Sequence, residues 1–260
     1  MVERRSRWAA FIILLSVFLI VLSSSAFAVD KVLDVSRLDQ REVWLGEYFA
    51  VLEDPGLALT LTDVLSPDIA RLFTIPQATT RSYGYTRSAY WLRLTLRNAS
   101  GKPVERMLEF SVPLISSIQF HQPMADGSYQ SLITGNATPF ATRPYPNRLF
   151  VFPFTLPAHS DQVVYLRLQS VGAMLVGGNL WEPQAFHDHE QIDYIAQAWF
   201  FGIATAMILF NLLLFFALRD VVYLLYTVFA VCTVVAISAM SGLAKEFFVD
   251  KTAVISTHGV

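Results

Sequence analysis

The run His187-Asp188-His189 places two imidazoles beside a carboxylate, and these side chains are ligands that zinc and copper prefer. Both ions need several protein ligands in a fixed geometry. No third ligand follows at a recognised spacing, and two histidines two residues apart are more typical of a solvated linker. The sequence therefore predicts no bound metal at this position.

Other catalytic arrangements are absent from the sequence. Its carboxylates are scattered, and no Ser/His/Asp set, glycine-rich phosphate loop or nucleotide motif occurs. The single cysteine, Cys232, excludes an intramolecular disulfide and a paired-cysteine zinc site. An enzyme acting on envelope glycans is an alternative, but no motif supplies its two catalytic acids. We therefore predict a protein that is not an enzyme and needs no cofactor.

One predicted strand carries side chains that could bind a carbohydrate or another small polar ligand. Trp91 and Arg93 lie on one face of an extended chain, about 6.6 Å apart. An indole ring offers a stacking surface, and a guanidinium donates paired hydrogen bonds. The alternative is that Trp91 and Trp181 pack in the core or at the edge of a β-sandwich.

A second set of candidate ligand-binding residues precedes another predicted strand and consists of Arg143, Tyr145 and Arg148. Prolines interrupt this stretch, so it should approach the strand as a loop. Loops at the edge of a rigid scaffold carry many binding sites. The sequence therefore predicts a site at a loop edge, separate from the strand that holds Trp91.

Alternating apolar and polar residues predict β-strands in the first two thirds of the chain. The clearest alternation is in Tyr90–Asn98, and three later runs repeat it around Leu108, Phe152 and Leu166. Breaker-rich turns separate these runs, and only Leu61–Leu72 could hold a short helix. This pattern favours an antiparallel β-sandwich.

Two charge-free stretches, Ala198–Leu218 and Val221–Ala244, follow the β-rich part and are separated only by Arg219-Asp220. As helices they would be about 31 and 36 Å long, enough to cross a hydrocarbon core of roughly 30 Å. A buried helical hairpin of a soluble protein is the alternative, which stretches of this length without charge make a poor fit. The sequence predicts a transmembrane hairpin in contact with the lipid bilayer.

Small and polar residues predict where the two spans pack. Gly202 and Ala206 form one small-xxx-small pair, and Ser238 and Gly242 form another. Asn211 lies near the middle of the first span, where an amide should bind a partner on another helix.

Residues 1–28 resemble a secretory signal peptide, with three early arginines, an apolar stretch and a small-residue cleavage site before Val29. An uncleaved signal anchor is the alternative. Either way the next domain is exported. We expect a periplasmic domain over 29–193, a membrane hairpin within 194–244 and a periplasmic tail over 245–260. A net charge of −2 argues against nucleic acid as a partner.

Several short motifs together resemble a known receptor family. They are Tyr90-Trp91-Leu92-Arg93, Asn98, Pro113, Asn147-Arg148, Leu180-Trp181, Phe201-Gly202-Ile203, Phe210-Asn211-Leu212, Ala217-Leu218-Arg219-Asp220 and Tyr223-Leu224-Leu225-Tyr226. Their order is similar to that of the bacterial seven-transmembrane receptors with diverse intracellular signalling modules, the 7TM-DISM receptors, with a type 2 extracellular domain.

This resemblance implies a jelly-roll-like, carbohydrate-binding-like sensor domain in the periplasm, followed by the first two of seven spans in a bacterial inner membrane. It also implies signal transduction, with another receptor or a second copy of the chain as a possible partner. Only 16 residues follow Ala244, so we expect a fragment of a longer receptor or a truncated gene that lacks the output domain. A membrane-tethered carbohydrate-binding module without signalling is the alternative function.

Overall fold

The computed structural model describes residues 31–38, 42–75 and 81–249. The predicted signal peptide and residues 250–260 of the predicted tail lie outside these ranges. The described strands are β1 Leu33–Asp34, β2 Glu42–Trp44, β3 Ala50–Asp54, β4 Arg81–Tyr85, β5 Ala89–Asn98, β6 Val104–Phe110, β7 Ser117–Pro123, β8 Tyr129–Thr134, β9 Phe150–Leu156, β10 Ser160–Gln169, β11 Ala173–Val176 and β12 Asn179–Trp181. The helices are α1 Leu61–Leu65, α2 Pro67–Ala70, α3 Pro183–Leu218 and α4 Val221–Met240.

Most strands belong to two sheets, which form the β-rich head of the molecule. The larger sheet has the order β1-β5-β10-β7-β8, with β3 also paired to β5, and the smaller has the order β2-β12-β6-β9. Strands β4 and β11 form a separate pair. Strand β1 runs parallel to β5, whereas β5 and β10 form a long antiparallel ladder at the centre of the larger sheet.

The main core lies between the two sheets. Leu92, Leu94 and Leu96 of β5 point into it, as the alternation in the sequence predicted. Phe120 of the larger sheet stacks on Phe152 of the smaller, with ring centroids 4.8 Å apart. Because aromatic side chains bury large apolar areas, this contact helps to hold the sheets together.

A second core covers the opposite face of the larger sheet. Thr60 and Asp63 form a reciprocal capping box that starts α1, and α1 and α2 lie over this face. Trp91 is 1% exposed beneath them, packed with Phe73 and Tyr165. The sequence left two interpretations of this face open, a ligand site and packing of Trp91 in the core or at a sheet edge. The two short helices cover part of the face and make it a core.

The chain ends, within the described residues, in a hairpin of two long helices that are apolar enough to cross a membrane. Arg219 adopts a left-handed conformation with φ 54°, and the Asp220 carboxylate accepts a hydrogen bond from the backbone N–H of Val222 at 3.0 Å. These two residues form the tight turn that the sequence predicted. Helix α3 begins at Pro183, so residues 183–197 extend the first span as a continuous helix.

The predicted fold class, a β-sandwich followed by a helical hairpin, is confirmed. The head is mainly β over residues 33–181, and α3 and α4 form the hairpin. The short helix expected within Leu61–Leu72 is present as two separate turns of helix, because Pro67 begins the second.

His121 should make the stability of the head depend on pH. Its side chain is 5% exposed and stacks on Trp91, and burial lowers its pKa from 6.5 to about 4. Between about pH 4 and pH 6.5 the folded head therefore binds fewer protons than the unfolded chain. We expect the free energy of unfolding to be highest above pH 6.5 and to fall by about 3 kcal/mol as the pH drops to about 4.

This dependence can be measured by denaturant unfolding of the chain in lipid nanodiscs at a series of pH values. The His121→Asn variant cannot be protonated there and should lose this part of the pH dependence. His159→Asn, a substitution in an exposed turn, should retain it. Equal pH dependence in the His121→Asn variant and the wild type would contradict the assignment.

Candidate functional site

The first turns of α3 are part of the head. Ala185 and Phe186 are buried on the outer face of the smaller sheet, against side chains of β6, β9 and β12. Next to them the indole N–H of Trp181 donates to Glu109 at 2.7 Å, and burial raises the pKa of that carboxyl. Because α3 is continuous from here to Leu218, a displacement of the sheet can be carried along the helix.

Polar contacts join the head to both membrane helices at one place, which we call the junction. It comprises two head loops, Gly135–Thr138 and Arg143–Leu149, the α3 turns His187–Tyr194, and Ser241–Glu246 after α4. The contacts in this region involve positively and negatively charged side chains, and several of these side chains are partly or fully buried.

Glu190 of α3 accepts two hydrogen bonds from the second head loop. The Tyr145 hydroxyl donates to one carboxylate oxygen at 2.8 Å, and the Asn147 amide donates to the other at 2.6 Å. Burial, together with the hydrogen bond to Glu190, raises the pKa of Tyr145 to about 12. The hydroxyl therefore remains a donor at physiological pH.

Arg148 contacts both helices with one guanidinium group. Its Nε and Nη2 atoms donate to the two carboxylate oxygens of Asp193 on α3, each at 2.7 Å. Its Nη1 atom donates to the carbonyl of Ser241, just after α4, at 3.1 Å. The two side chains are 13% and 26% exposed, so water screens this ion pair only partly.

The segment after α4 is docked on the head by its backbone and by a lysine. Gly242 has φ +83°, and a Cβ atom there would lie 2.6 Å from the carbonyl oxygen of Arg148. The ammonium group of Lys245 donates to the carbonyls of Gly135 at 3.2 Å, Asn136 at 2.6 Å and Thr138. Both contacts require the hairpin and the head to keep a fixed relative position.

Tyr194 connects the two helices within the junction. Its hydroxyl oxygen accepts the backbone N–H of Arg148 at 3.2 Å and lies 2.9 Å from each carboxylate oxygen of Glu246. Burial raises the pKa of Glu246. A hydroxyl of α3 and a carboxyl of the segment after α4 thus meet directly below the head.

The structure brings Arg143, Tyr145 and Arg148 together in one loop, as their spacing suggested. Arg143 is 7% exposed and donates to backbone carbonyls of its own loop, while its guanidinium lies 4.5 Å from the ring centroid of Phe150. Tyr145 and Arg148 contact α3, and Tyr145 also lines a cavity of about 370 Å³ together with Arg106. In this structure the three residues build the loop and dock it.

Trp91 and Arg93 lie elsewhere, under α1 and α2. Trp91 is buried, and Arg93 donates to the carbonyl of Ala70 at the end of α2, at 2.9 Å. A ligand could stack on Trp91 only if these helices moved away. Trp91 is 1% exposed and Trp181 is 6% exposed. This burial fits the alternative given by the sequence, in which both are packing residues.

Gly202 and Ala206, two of the residues expected to pack the hairpin, are exposed on α3. A methyl group added at Gly202 would have no neighbour within 4 Å, and Gly202 shares a shallow open groove with Ala206. The side-chain N–H of Asn211 donates to the carbonyl of Met207, one turn earlier on the same helix, at 2.8 Å. Ser238 lines a cavity between the helices, and Gly242 contacts the head.

The two histidines of the His-x-His run have structural partners. His189 stacks on the Trp181 ring with centroids 4.6 Å apart. The Nδ1 atom of His187 lies 3.3 Å from the Tyr145 hydroxyl and 3.6 Å from Glu190. The two rings thus contact different partners.

Sequence reasoning missed the acidic residues of the junction, Glu190, Asp193 and Glu246. A signal for the first two existed, since a three-residue spacing places both on one face if the linker is helical. Interpreting the run His187–His189 as a solvated linker hid this face. Nothing local marks Glu246, whose partner Tyr194 lies 52 residues away.

A substitution at Gly242 should open the junction. The Gly242→Ala variant adds a methyl group where the backbone is left-handed and the Arg148 carbonyl is in contact. Strain of this kind costs about 1–3 kcal/mol, so we expect faster hydrogen exchange at Ser241–Glu246 and at Arg148. Gly202→Ala is the matched control, because open space surrounds that site and the methyl should change nothing at the junction. Equal exchange in both variants would contradict this prediction.

Two protein-family models match the chain, one over the head and the next over the hairpin. The family model described as 7TMR-DISM extracellular 2 matches residues 46–182, and the one described as 7TM diverse intracellular signalling matches residues 193–258. No curated protein matches the chain.

Among solved structures, a glycoside hydrolase family 43 arabinoxylan arabinofuranohydrolase from Bacillus subtilis, in complex with cellotetraose, is 11% identical. The match covers 58% of this chain and 28% of that one, with a TM-score of 0.24. A likeness this weak supports no inference about fold or activity.

Proposed function

The chain belongs to the 7TMR-DISM extracellular 2 family, that of membrane sensors with extracellular and transmembrane regions. We propose that its head passes a ligand signal to the hairpin through the junction. The observation that carries this proposal is the position of Arg148. One side chain of the head holds the head-proximal ends of both helices, through Asp193 on α3 and Ser241 after α4.

The buried start of α3 supports the same route. The sheet face around Trp181 packs against the first turns of the helix, and the helix then continues without interruption into the membrane. Coupling requires that a ligand stabilise one arrangement of the head and the hairpin more than another. A ligand that moves a head loop of the junction would do this, because the loop's contacts with the helices differ between the two arrangements.

We further propose that the head faces the periplasm of a bacterial inner membrane and binds a carbohydrate or another small polar molecule. The export of residues 29–193 follows from the predicted signal peptide, and places the Arg219-Asp220 turn in the cytoplasm. Contact with a second receptor chain is another input that the same junction would transmit.

The native Cys232 offers a direct test, because it is the single cysteine of the chain and is exposed on α4. A fluorophore on Cys232 reports the hairpin in nanodiscs, while thermal shift reports binding to the head. A panel of neutral, acidic and amino sugars and of amino acids is the probe set. We expect at least one compound to change both signals in the wild type, and the Arg148→Ala variant to keep the thermal shift but lose the fluorescence change.

Binding without any response of the label in the wild type would overturn the signalling role. It would favour the alternative, a membrane-tethered carbohydrate-binding module that does not signal. A compound that alters the label in wild type and in Arg148→Ala equally would instead show that coupling bypasses the junction.

A further inference from the structure

Three loops of the head lie side by side next to the membrane helices. Together they form a surface that we call the base: residues 113–116, 135–138 and 170–172. The backbone N–H of Asn136 donates to the carbonyl of Ile115 at 2.7 Å. The backbone N–H of Val171 donates to the Ser116 hydroxyl at 3.1 Å. Because Lys245, just after α4, donates to carbonyls of the middle loop, the base lies where the hairpin leaves the head.

The base lies at the level where the helices enter the apolar part of the membrane. Leu114 lines a groove of about 530 Å³ together with Ala239 and Ala244, which belong to the second charge-free stretch. The same two alanines share a cavity with Ala198, the first residue of the other charge-free stretch. Trp199 follows it and is 68% exposed, and tryptophan is enriched at membrane–water interfaces. The base is therefore level with the interface on the side of the head.

The most exposed large apolar side chains of the head lie at the base. In the part of the head that the structure describes, Val171 is 91% exposed and Tyr85 is 87% exposed, more than any other large apolar side chain. Tyr85 adjoins the base because it pairs with Ala173, two residues after Val171. Leu114 is 43% exposed. A single exposed apolar residue is ordinary on a protein surface, but a group of them level with the lipid indicates a membrane contact.

We propose that the base inserts Leu114, Val171 and Tyr85 into the phospholipid interface beside the hairpin, as a second attachment of the head to the membrane. These side chains leave water when they enter the boundary between headgroups and acyl chains, where interfacial segments are buried about 5–10 Å deep. Tyrosine suits this boundary because its ring is apolar and its hydroxyl can stay among the headgroups. The contact restrains the tilt of the head over the membrane. It depends on where the base lies relative to the spans and not on the proposed signalling role.

Quenching by spin-labelled lipid tests this contact. An environment-sensitive fluorophore is attached to Val171→Cys in a Cys232→Ser chain, in nanodiscs of phosphatidylcholine and phosphatidylglycerol. Lipid that carries a nitroxide high on its acyl chain should quench the label at least about twofold, because the label then lies at the headgroup–acyl boundary. Met124→Cys is the matched control, since Met124 is 46% exposed in the turn at the other end of β7, roughly 23 Å from the base. A label there should keep its intensity.

A charge placed at the base should weaken the contact. The label is moved to Tyr85→Cys, and Val171→Asp is then added to the same chain. We expect the quenching to fall by about half or more, because a carboxylate is unfavourable in the apolar boundary. Met124→Asp, added in its place, should leave the quenching unchanged. Val171 and Met124 are both exposed, so neither substitution should alter the midpoint of denaturant unfolding.

Three results would overturn the proposal. The first is equal quenching of the labels at Val171→Cys and Met124→Cys. The second is a label at Val171→Cys that is shielded from water but not quenched by the nitroxide lipid, because a second copy of the chain or another protein would then cover the base. The third is unchanged quenching of the Tyr85→Cys label when Val171→Asp is added.

Discussion

Replacing Arg148 with alanine should weaken the junction more than the removal of any other single charge. The variant leaves the Asp193 carboxylate, 26% exposed, without its bidentate partner and the Ser241 carbonyl without a donor. Breaking partly buried pairs of this kind costs about 2–4 kcal/mol. Hydrogen exchange at Glu190–Tyr194 and Ser241–Glu246 should accelerate by the corresponding factor, about 30-fold or more.

Arg97→Ala is the matched control. Arg97 also forms a bidentate pair, with Asp161 at 2.8 and 2.7 Å, but the side chains are 49% and 53% exposed and lie on the head away from the helices. Water screens such a pair, so its loss should leave exchange at the junction unchanged. Equal exchange rates in the Arg148→Ala and wild-type chains would show that the ion pair does not hold the helices.

The second large effect is expected at Trp91. Trp91→Ala removes a fully buried indole that packs with Phe73 and Tyr165 and stacks on His121. Large-to-small substitutions of this kind cost about 3–5 kcal/mol, because the lost contacts are joined by an unfilled cavity. The midpoint of denaturant unfolding of the head should fall accordingly.

Arg93→Ala is the comparison on the same strand, because Arg93 is the other candidate ligand-binding residue there. Arg93 as a whole is half-buried, and its guanidinium donates to the carbonyl at the end of α2, so the loss of stability should be smaller than at Trp91. If Trp91→Ala keeps the stability of the wild type, the cluster beneath α1 and α2 is not a core. If that variant is also the one that loses binding of a sugar, the tryptophan is a ligand platform.

The period-two alternation in β5 was sufficient to predict its two faces. It could not show that α1 and α2 would cover one of them, because the cover depends on the capping box at Thr60 and on the contact of Phe73 with Trp91, 18 positions later in the chain. Charge-free length was likewise enough to predict the hairpin and its two-residue turn.

The junction was only half predictable. Arg143, Tyr145 and Arg148 stood out as a polar loop, but their partners on α3 and after α4 are distant in sequence, as with Arg148 and Ser241, 93 residues apart. Gly242 drew attention as a small residue for helix packing. Its positive φ and its contact with the Arg148 carbonyl give it a different role, which depends on the docked head.

The junction holds the head in a fixed position on the hairpin. A distance distribution between a spin label at the native Cys232 and one at Tyr85→Cys, 87% exposed on the head, tests it with a single substitution in nanodiscs. We expect one narrow distribution in the wild-type background, which broadens when Arg148→Ala is added. A broad distribution without that substitution, as from a head swinging freely above the membrane, would contradict it.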